Sequence, residues 1–153
     1  KKNKPEYLYI KSNEIGVHKD SEKTVKIIAG KYEKAEGPQT NHNVEPIYFH
    51  IILNEKKEFK CEVPEEHNSF IYLLKGELKI GEKEHNKTND SNLILLERGN
   101  KLNVMANKKT EFLFVAGKPI GEPIARGGPF VMNTKAQILQ ASQDYNNGTF
   151  AKY

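Results

Sequence analysis

The clearest indication of the fold is the segment Val63-Pro64-Glu65-Glu66-His67-Asn68-Ser69-Phe70-Ile71-Tyr72-Leu73-Leu74-Lys75-Gly76-Glu77-Leu78. A polar segment after Pro64 leads into an apolar run, and a Lys-Gly-Glu turn then leads into a second apolar segment. A short apolar run bounded by turn residues is typical of a buried β-strand. We therefore predict a hairpin of two strands joined at Gly76.

The rest of the chain before Gly117 has the same β character, because short apolar or alternating runs are separated by Gly, Pro, Asn, Asp or Lys clusters. Many short strands at even spacing indicate a sandwich or barrel. We predict a longer loop over residues 31–45 and a hairpin tip or mobile loop over residues 81–92. The predicted strands cover residues 7–10, 24–28, 47–53, 58–63, 69–74, 77–80, 93–96, 101–106 and 111–115.

The C-terminal part begins with Gly121-Glu122-Pro123-Ile124-Ala125-Arg126-Gly127-Gly128-Pro129-Phe130-Val131-Met132-Asn133-Thr134, which is rich in backbone constraints. The two prolines fix φ and the two adjacent glycines permit turns, so this segment is predicted to be a shaped connector. Thr134 and Gln137 then form a capping-box pattern, and the segment ends at Asn147 and Gly148. Between these caps, apolar and small residues recur at the spacing of an amphipathic helix, namely Ile138, Leu139, Ala141, Ser142 and Tyr145.

Composition fits one soluble domain, since 153 residues can bury one sizeable core. The net charge of +4 is spread over 24 basic and 20 acidic residues without an arginine-rich stripe, so direct nucleic-acid binding is not indicated. Cys61 is the single cysteine, which excludes an internal disulfide and a thiolate zinc cluster. No apolar stretch approaches a membrane span, and we expect a soluble cytoplasmic protein.

The C-terminal segment resembles the signature of the pirin family. Pirins share the GPFVMNT element and a helix with an Asp-Tyr, Gly and Phe ending, and here Asp144, Tyr145, Gly148 and Phe150 stand at those places. The stretch that opens at Val63 resembles the first conserved motif of a cupin barrel. The resemblance covers nearly the whole chain and matches the second half of a pirin. It implies an all-β, cupin-type double-stranded β-helix (jelly-roll) barrel over residues 1–120, with the connector and helix over residues 121–153.

The resemblance also implies where a cupin metal would bind. Carried over by spacing, the four usual ligand positions fall on Glu65, His67, Ser69 and Leu102. One or two donors cannot make the usual site of three or four ligands, so we expect neither a metal nor a catalytic residue in this chain. The cluster formed by His67, Glu65 and Glu66 is the weak candidate that remains for a metal.

The family resemblance sets the functional expectations. Pirins have two cupins, of which the N-terminal one carries an iron-class metal; they are associated with quercetin dioxygenase activity, and animal members act as iron-dependent transcriptional coregulators. We expect this chain to be a non-catalytic scaffold or interaction module. Two alternatives stay open. One is a dioxygenase that depends on a metal-bearing N-terminal cupin or on His67 with non-standard donors; the other is a metal-free barrel that binds a small molecule.

The resemblance also implies a partner for the C-terminal arm, which we define as residues 128–145. In two-domain pirins this segment packs on the N-terminal cupin, so we expect the arm to contact such a cupin or a second copy of this chain. The alternative is that the arm folds back onto the chain's own barrel, so that the chain is a single structural domain. An exposed apolar patch of this kind drives association. The residues expected to carry the contact are Phe130, Met132, Ile138 and Tyr145.

Overall fold

The computed structural model describes residues 7–39, 43–81, 87–88 and 93–150, with backbone only at 87–88. The chain forms two compact units. The first unit ends at Pro119 and the second begins at Ile120.

The first unit is built from β-strands, preceded by one 3-10 turn at Ser12–Glu14. In chain order the strands are β1 (Gly16–Lys19), β2 (Lys23–Ala29), β3 (Lys31–Tyr32), β4 (Ala35–Glu36), β5 (Ile47–Leu53), β6 (Glu58–Glu62), β7 (Asn68–Lys75), β8 (Leu78–Ile80), β9 (Lys87–Thr88), β10 (Leu93–Leu95), β11 (Lys101–Ala106) and β12 (Thr110–Gly117).

These strands form two antiparallel sheets. The larger sheet has the order β1-β2-β5-β12-β7-β10, and the smaller has the order β6-β11-β8-β9. The strands β3 and β4 pair with each other as a short hairpin. Because the strands cross repeatedly between the two sheets, the unit is the cupin-type jelly roll that the resemblance implied, and the fold prediction is confirmed.

The core lies between the two sheets. Burial alternates along the strands, so that Phe112 and Phe114 of β12 and Leu102 and Val104 of β11 point inward. The rings of Phe59 and Phe112, one from each sheet, meet edge to face with centroids 6.0 Å apart. Each fully buried side chain of this size contributes roughly 1.5–3 kcal/mol, so this alternation supplies most of the driving force for folding.

The predicted hairpin of β7 and β8 is present, and its turn depends on Gly76. This glycine has a φ of +97°, and a Cβ atom at this position would lie 2.6 Å from the Cα of Thr110. The Thr110 hydroxyl accepts from the backbone N–H of Glu77 at 3.0 Å and donates to the carbonyl of Lys108 at 2.7 Å. The turn is thereby fixed to the start of β12.

The strand predicted over residues 7–10 is wrong. These residues lie outside the sheets, and Tyr7 and Tyr9 are largely exposed. The place beside β2 at the sheet edge belongs instead to β1, where Val17 pairs with Lys26. An apolar run alone therefore did not identify the strand, because β1 is a polar edge strand with little apolar content.

One predicted loop differs from what is found, and another lies mostly outside the described residues. The segment 31–45 begins with the β3–β4 hairpin, in which Tyr32 is buried. Most of the predicted tip at 81–92 lies outside the described residues, apart from Gly81 and from β9, which pairs with β8 as in a hairpin.

The second unit contains a hairpin and a helix. Its strands are β13 (Ala125–Gly127) and β14 (Phe130–Met132), joined at Gly128 and Pro129. Gly128 has a φ of +54°, as two-residue hairpin loops require at their first central position. The segment predicted to be only a connector is therefore a tight hairpin.

The helix α1 (Lys135–Asn146) follows directly, with the caps that the sequence predicts. The Thr134 hydroxyl accepts from the backbone N–H of Gln137 at 3.2 Å, and the Gln137 side chain accepts in return from the backbone N–H of Thr134 at 3.2 Å. Gly148, with a φ of +68°, follows the last turn. In the described part of the chain, no helix has the length and apolar content needed to cross a membrane.

Candidate functional site

The four cupin ligand positions do not converge on a set of donors. Glu65 is exposed in the turn after Pro64, and Ser69 is partly buried on β7. Leu102 lies on β11 and is only 5% exposed, as part of the hydrophobic core. The position that the resemblance assigns to the last ligand is therefore held by a buried apolar side chain, which has no donor atom for a metal.

His67 is the exception, because it is a buried polar side chain. It is 2% exposed, and within the part of the chain that the structure describes neither ring nitrogen has a hydrogen-bond partner. Its Nε2 lies 4.0 Å from Oε2 of Glu45, a residue that the sequence analysis did not single out. Glu65, the predicted companion of His67, is not its ion-pair partner.

Glu45 is held in an unusual backbone conformation beside the end of β12. Its φ is +45°, a region that non-glycine residues seldom adopt. The backbone N–H of Lys118 donates to the carbonyl of Val44 at 2.7 Å, and the Lys118 ammonium lies 3.7 Å from Oε1 of Glu45. The carboxylate thus stands between the buried imidazole of His67 and an exposed ammonium.

This donor set does not fit a cupin metal centre. Among residues 7–39, 43–81 and 93–150, no group of three or more His, Cys, Asp or Glu side chains is placed to hold an ion. His67 and Glu45 supply two donors at most, whereas the metals of such sites take at least three protein ligands.

A cavity of about 610 Å³ opens beside the β3–β4 hairpin, next to β6 and β11. Its floor is formed by Tyr32 and Leu102, which are buried, and by Cys61, which is partly buried. Leu102 and Cys61 are cross-strand partners. The cavity therefore lies beside one of the cupin ligand positions. The remaining lining residues are exposed at the rim, namely Lys31, Glu33, Lys60, Glu62, Lys101 and Asn103.

The floor of the cavity is uncharged. Burial raises the pKa of the Cys61 thiol to about 12. Burial, with smaller contributions from the charges of Glu33, Cys61 and Asp20, raises the pKa of Tyr32 to about 12. Tyr32 is also fixed in place, because its ring stacks on Phe59 with centroids 5.2 Å apart. At neutral pH the floor presents a phenol, a thiol and an aliphatic side chain.

Three lysines and two glutamates lie at the rim, and the lysines differ in whether they form an ion pair. The Lys31 ammonium lies 3.2 Å from Glu36, and that of Lys60 lies 2.5 Å from Glu58. Lys101 makes no ion pair with any residue that the structure describes. Lys101 lies directly opposite Glu62 in the pairing of β11 with β6, so a carboxylate stands on the same face of the sheet.

The side chains expected at an interface lie in the second unit, and most of them are engaged within it. The Phe130 ring meets Tyr145 at 6.0 Å and Phe150 at 5.1 Å between centroids. Ile138 lies over Gly127, where an added Cβ would approach its Cγ2 at 2.5 Å. Phe130, Met132 and Ile138 are partly buried, while Tyr145 is 65% exposed.

The sequence analysis missed two residues of the first unit, namely Tyr32 beside the cavity and Glu45 beside His67. Tyr32 stands in a segment read as loop, and nothing in its neighbours marks it as core. Glu45 precedes Pro46, which disfavours the helical region but does not predict a positive φ. Both depend on tertiary contacts, so the local sequence gave no usable signal.

Comparison with known proteins gives matches to one family. A family model for the Pirin C-terminal cupin domain matches residues 48–151. A pirin-like protein of Solanum lycopersicum is 32% identical over 146 residues, covering 94% of this chain and 50% of the relative. Pirin of Homo sapiens is 30% identical over 146 residues, covering 94% of this chain and 50% of the relative.

A solved structure agrees with this match. A quercetin 2,3-dioxygenase from Acinetobacter baumannii has a TM-score of 0.82 at 29% identity, covering 96% of this chain and 51% of that chain. The chain spans about half the length of the curated relatives it matches.

Proposed function

The chain belongs to the pirin family through its C-terminal cupin domain, and we propose that it is a non-catalytic module that supports or binds a partner domain. The observation that carries this proposal is the buried Leu102 at a cupin ligand position. A metal there would lack the nitrogen and oxygen donors that it requires.

The proposed partner is an N-terminal, pirin-like cupin or a second copy of this chain, contacted through the C-terminal arm. The second unit supports this, because apolar side chains that a solitary domain would bury are left exposed on it. Large exposed apolar patches on soluble proteins often mark interaction sites. The exposed fractions are 71% for both Ile120 and Ile124, and they are 66%, 65%, 58% and 46% for Leu139, Tyr145, Val131 and Phe150.

Light scattering on the purified chain, alone and mixed with the N-terminal half of a pirin relative, tests this proposal. We expect a dimer or a mixed complex that Tyr145→Asp dissociates, because a charge would then be desolvated at the contact. Leu93→Asp is the matched control, since Leu93 is 58% exposed on the first unit. If Tyr145→Asp leaves the complex unchanged, the arm does not form the interface. The same conclusion follows if the chain is monomeric both alone and in the mixture with the N-terminal half.

The dioxygenase alternative has its own test. A solved relative is a quercetin 2,3-dioxygenase, and oxygen activation requires a redox metal or an organic cofactor. We expect this chain alone to consume no oxygen with quercetin. Turnover by a chelator-treated sample of the chain would contradict the non-catalytic assignment.

The cavity favours a second candidate function, a metal-free barrel that binds a small molecule. Its volume of about 610 Å³ falls within the range of about 300–1,000 Å³ that is usual for ligand sites. An apolar floor with a polar rim is also the usual composition of such a site. This role is compatible with the first, because the cavity residues and the arm belong to different units.

A cytoplasmic location belongs to the same proposal. The chain has one cysteine and therefore makes no internal disulfide, as is usual for proteins of a reducing compartment. Localisation of the tagged full-length gene product by microscopy checks it.

A further inference from the structure

We propose that the β3–β4 hairpin is a lid that separates the cavity from the interior of the barrel, held closed by the ring of Tyr32. This inference rests on the second candidate function, a metal-free binding barrel, because opening the lid would extend that binding site between the sheets. It adds the element that moves and the residue that holds it in place.

Tyr32 closes the gap between the two sheets. Its ring meets Phe49 of the larger sheet edge to face, with centroids 5.8 Å apart, and stacks on Phe59 of the smaller sheet at 5.2 Å. The His18 ring of β1 meets it edge to face at 5.3 Å. Because Tyr32 also forms part of the cavity floor, withdrawal of its side chain would join the cavity to the aromatic core.

Apart from Tyr32, the hairpin has few contacts that hold it. The strands β3 and β4 pair with each other and belong to neither of the large sheets. Within residues 31–36, Tyr32 is buried and Ala35 is partly buried, while the other side chains are exposed, namely Lys31, Glu33, Lys34 and Glu36. A two-stranded hairpin is at best marginally stable on its own. The closed position therefore depends on the ring contacts of Tyr32.

The base of the hairpin is fixed, so movement is confined to residues 31–36. The backbone N–H of Gly37 donates to the carbonyl of Gly30 at 2.9 Å, which ties the two ends together. Gly37 lies so close to β2 that an added Cβ would be 2.7 Å from the carbonyl carbon of Ile28. At the tip, Glu33 has a φ of +52°, which non-glycine residues seldom adopt. Backbone strain of this kind can be released when the hairpin opens.

Amide hydrogen exchange of the ¹⁵N-labelled full chain, followed by NMR at increasing urea below the unfolding transition, tests whether the hairpin opens by itself. Bonded pairs alternate along an antiparallel ladder, so the bond between Gly37 and Gly30 implies that Tyr32 and Ala35 form the next bonded pair. We expect the exchange of these two amides to depend on urea at least about threefold less steeply than that of the core residue Phe114, because opening the hairpin exposes little surface. Equal slopes would mean that the hairpin opens only when the whole unit unfolds, and they would overturn the inference.

Two substitutions separate the lid from the core. Tyr32→Ala removes the ring contacts, so the Ala35 amide should exchange at least about tenfold faster, whereas Tyr32→Phe keeps the ring and should retain protection. Ile71 is fully buried on β7, and Ile71→Ala should speed the exchange of Phe114 and leave that of Ala35 unchanged. If Ile71→Ala speeds both amides equally, or if Tyr32→Ala leaves Ala35 unchanged, the hairpin is not a separate lid.

The Cys61 thiol shows whether the lid controls access to the cavity, since Cys61 lies on the cavity floor. Its reaction with iodoacetamide in buffer should be at least about tenfold faster in Tyr32→Ala than in Tyr32→Phe, because an open lid lets the thiol meet water and ionise. Equal rates in the two variants would refute this control of access. These measurements need no ligand, so a chain that behaves as expected and yet binds no small molecule would refute the binding barrel and leave the lid in place.

Discussion

Leu102 lies directly opposite Cys61 in the antiparallel pairing of β11 with β6. Both side chains line the same cavity, and Leu102 stands where the resemblance to cupins places a metal ligand. In place of the imidazole of a metal-ligating histidine, this chain has the aliphatic side chain of Leu102, and its cross-strand neighbour is the neutral thiol of Cys61. The pair supports the proposal of a non-catalytic module, because it supplies neither an imidazole nor a carboxylate to this part of the barrel.

Leu102→Ala should destabilise the chain by about 2–5 kcal/mol, because it removes buried methyl groups and enlarges the cavity. Leu95→Ala is the matched control: Leu95 is 78% exposed on β10, and such a change is usually within about 0.5 kcal/mol. Urea unfolding of both variants measures the difference. Equal stability of the two variants would show that Leu102 is not part of the core.

Cys61 should react slowly with iodoacetamide in the folded chain. Only the thiolate is nucleophilic, and burial raises the pKa of Cys61 to about 12. At pH 8.5 about half of an unfolded cysteine is thiolate, so we expect alkylation at least about 100-fold faster in urea than in buffer. Mass spectrometry of timed samples gives both rates. Similar rates would mean that the thiol is accessible and ionised in the native state.

Much of this structure was predictable where local chemistry decides it. The β7–β8 hairpin follows from an apolar run and Gly76, and the helix begins where Thr134 and Gln137 cap it. The family resemblance located Leu102, a position whose burial the structure then showed.

Other features depend on contacts that the local sequence does not encode. The apolar residues 7–10 are not a strand, because the polar strand β1 takes the place beside β2. Tyr32 becomes part of the core through ring contacts with Phe49 and Phe59, which are distant from it in the chain. The carboxylate within 4.0 Å of the His67 ring belongs to Glu45 and not to Glu65, two residues before His67, since the fold brings two distant segments together.

Thr134→Ala should shorten or fray α1, because the capping hydroxyl that accepts from Gln137 is lost. The expected cost is about 0.5–2 kcal/mol. Hydrogen exchange of the amides in the first turn of the helix measures it locally. Thr134→Ser keeps the hydroxyl and should retain protection, so equal loss in both variants would argue against the cap.

Asp20 should make the free energy of unfolding depend on pH in the acidic range. Backbone N–H donation from Glu22 at 2.7 Å, followed by that from Lys23 and the contacts with His18 and Lys23, holds the pKa of this carboxyl well below its usual range. Because the pKa of Asp20 is lower in the folded chain than in the unfolded chain, ionised Asp20 stabilises the fold when the pH is above the unfolded pKa of about 3.9. This stabilisation is lost as the pH falls toward and through the folded pKa. The stability gap between wild type and Asp20→Asn should therefore be larger at pH 7 than at pH 2, as measured by urea unfolding. A gap that is constant with pH would refute this role.

Metal binding by the chain tests the central claim most directly. Purified protein is exposed to iron(II) or nickel(II) without oxygen, freed of unbound ions and analysed for metal per chain. The buried Leu102 and the exposed Glu65 predict a content far below one ion per chain, unchanged by His67→Ala. About one ion per chain, lost on His67→Ala, would contradict the account and identify His67 as a ligand.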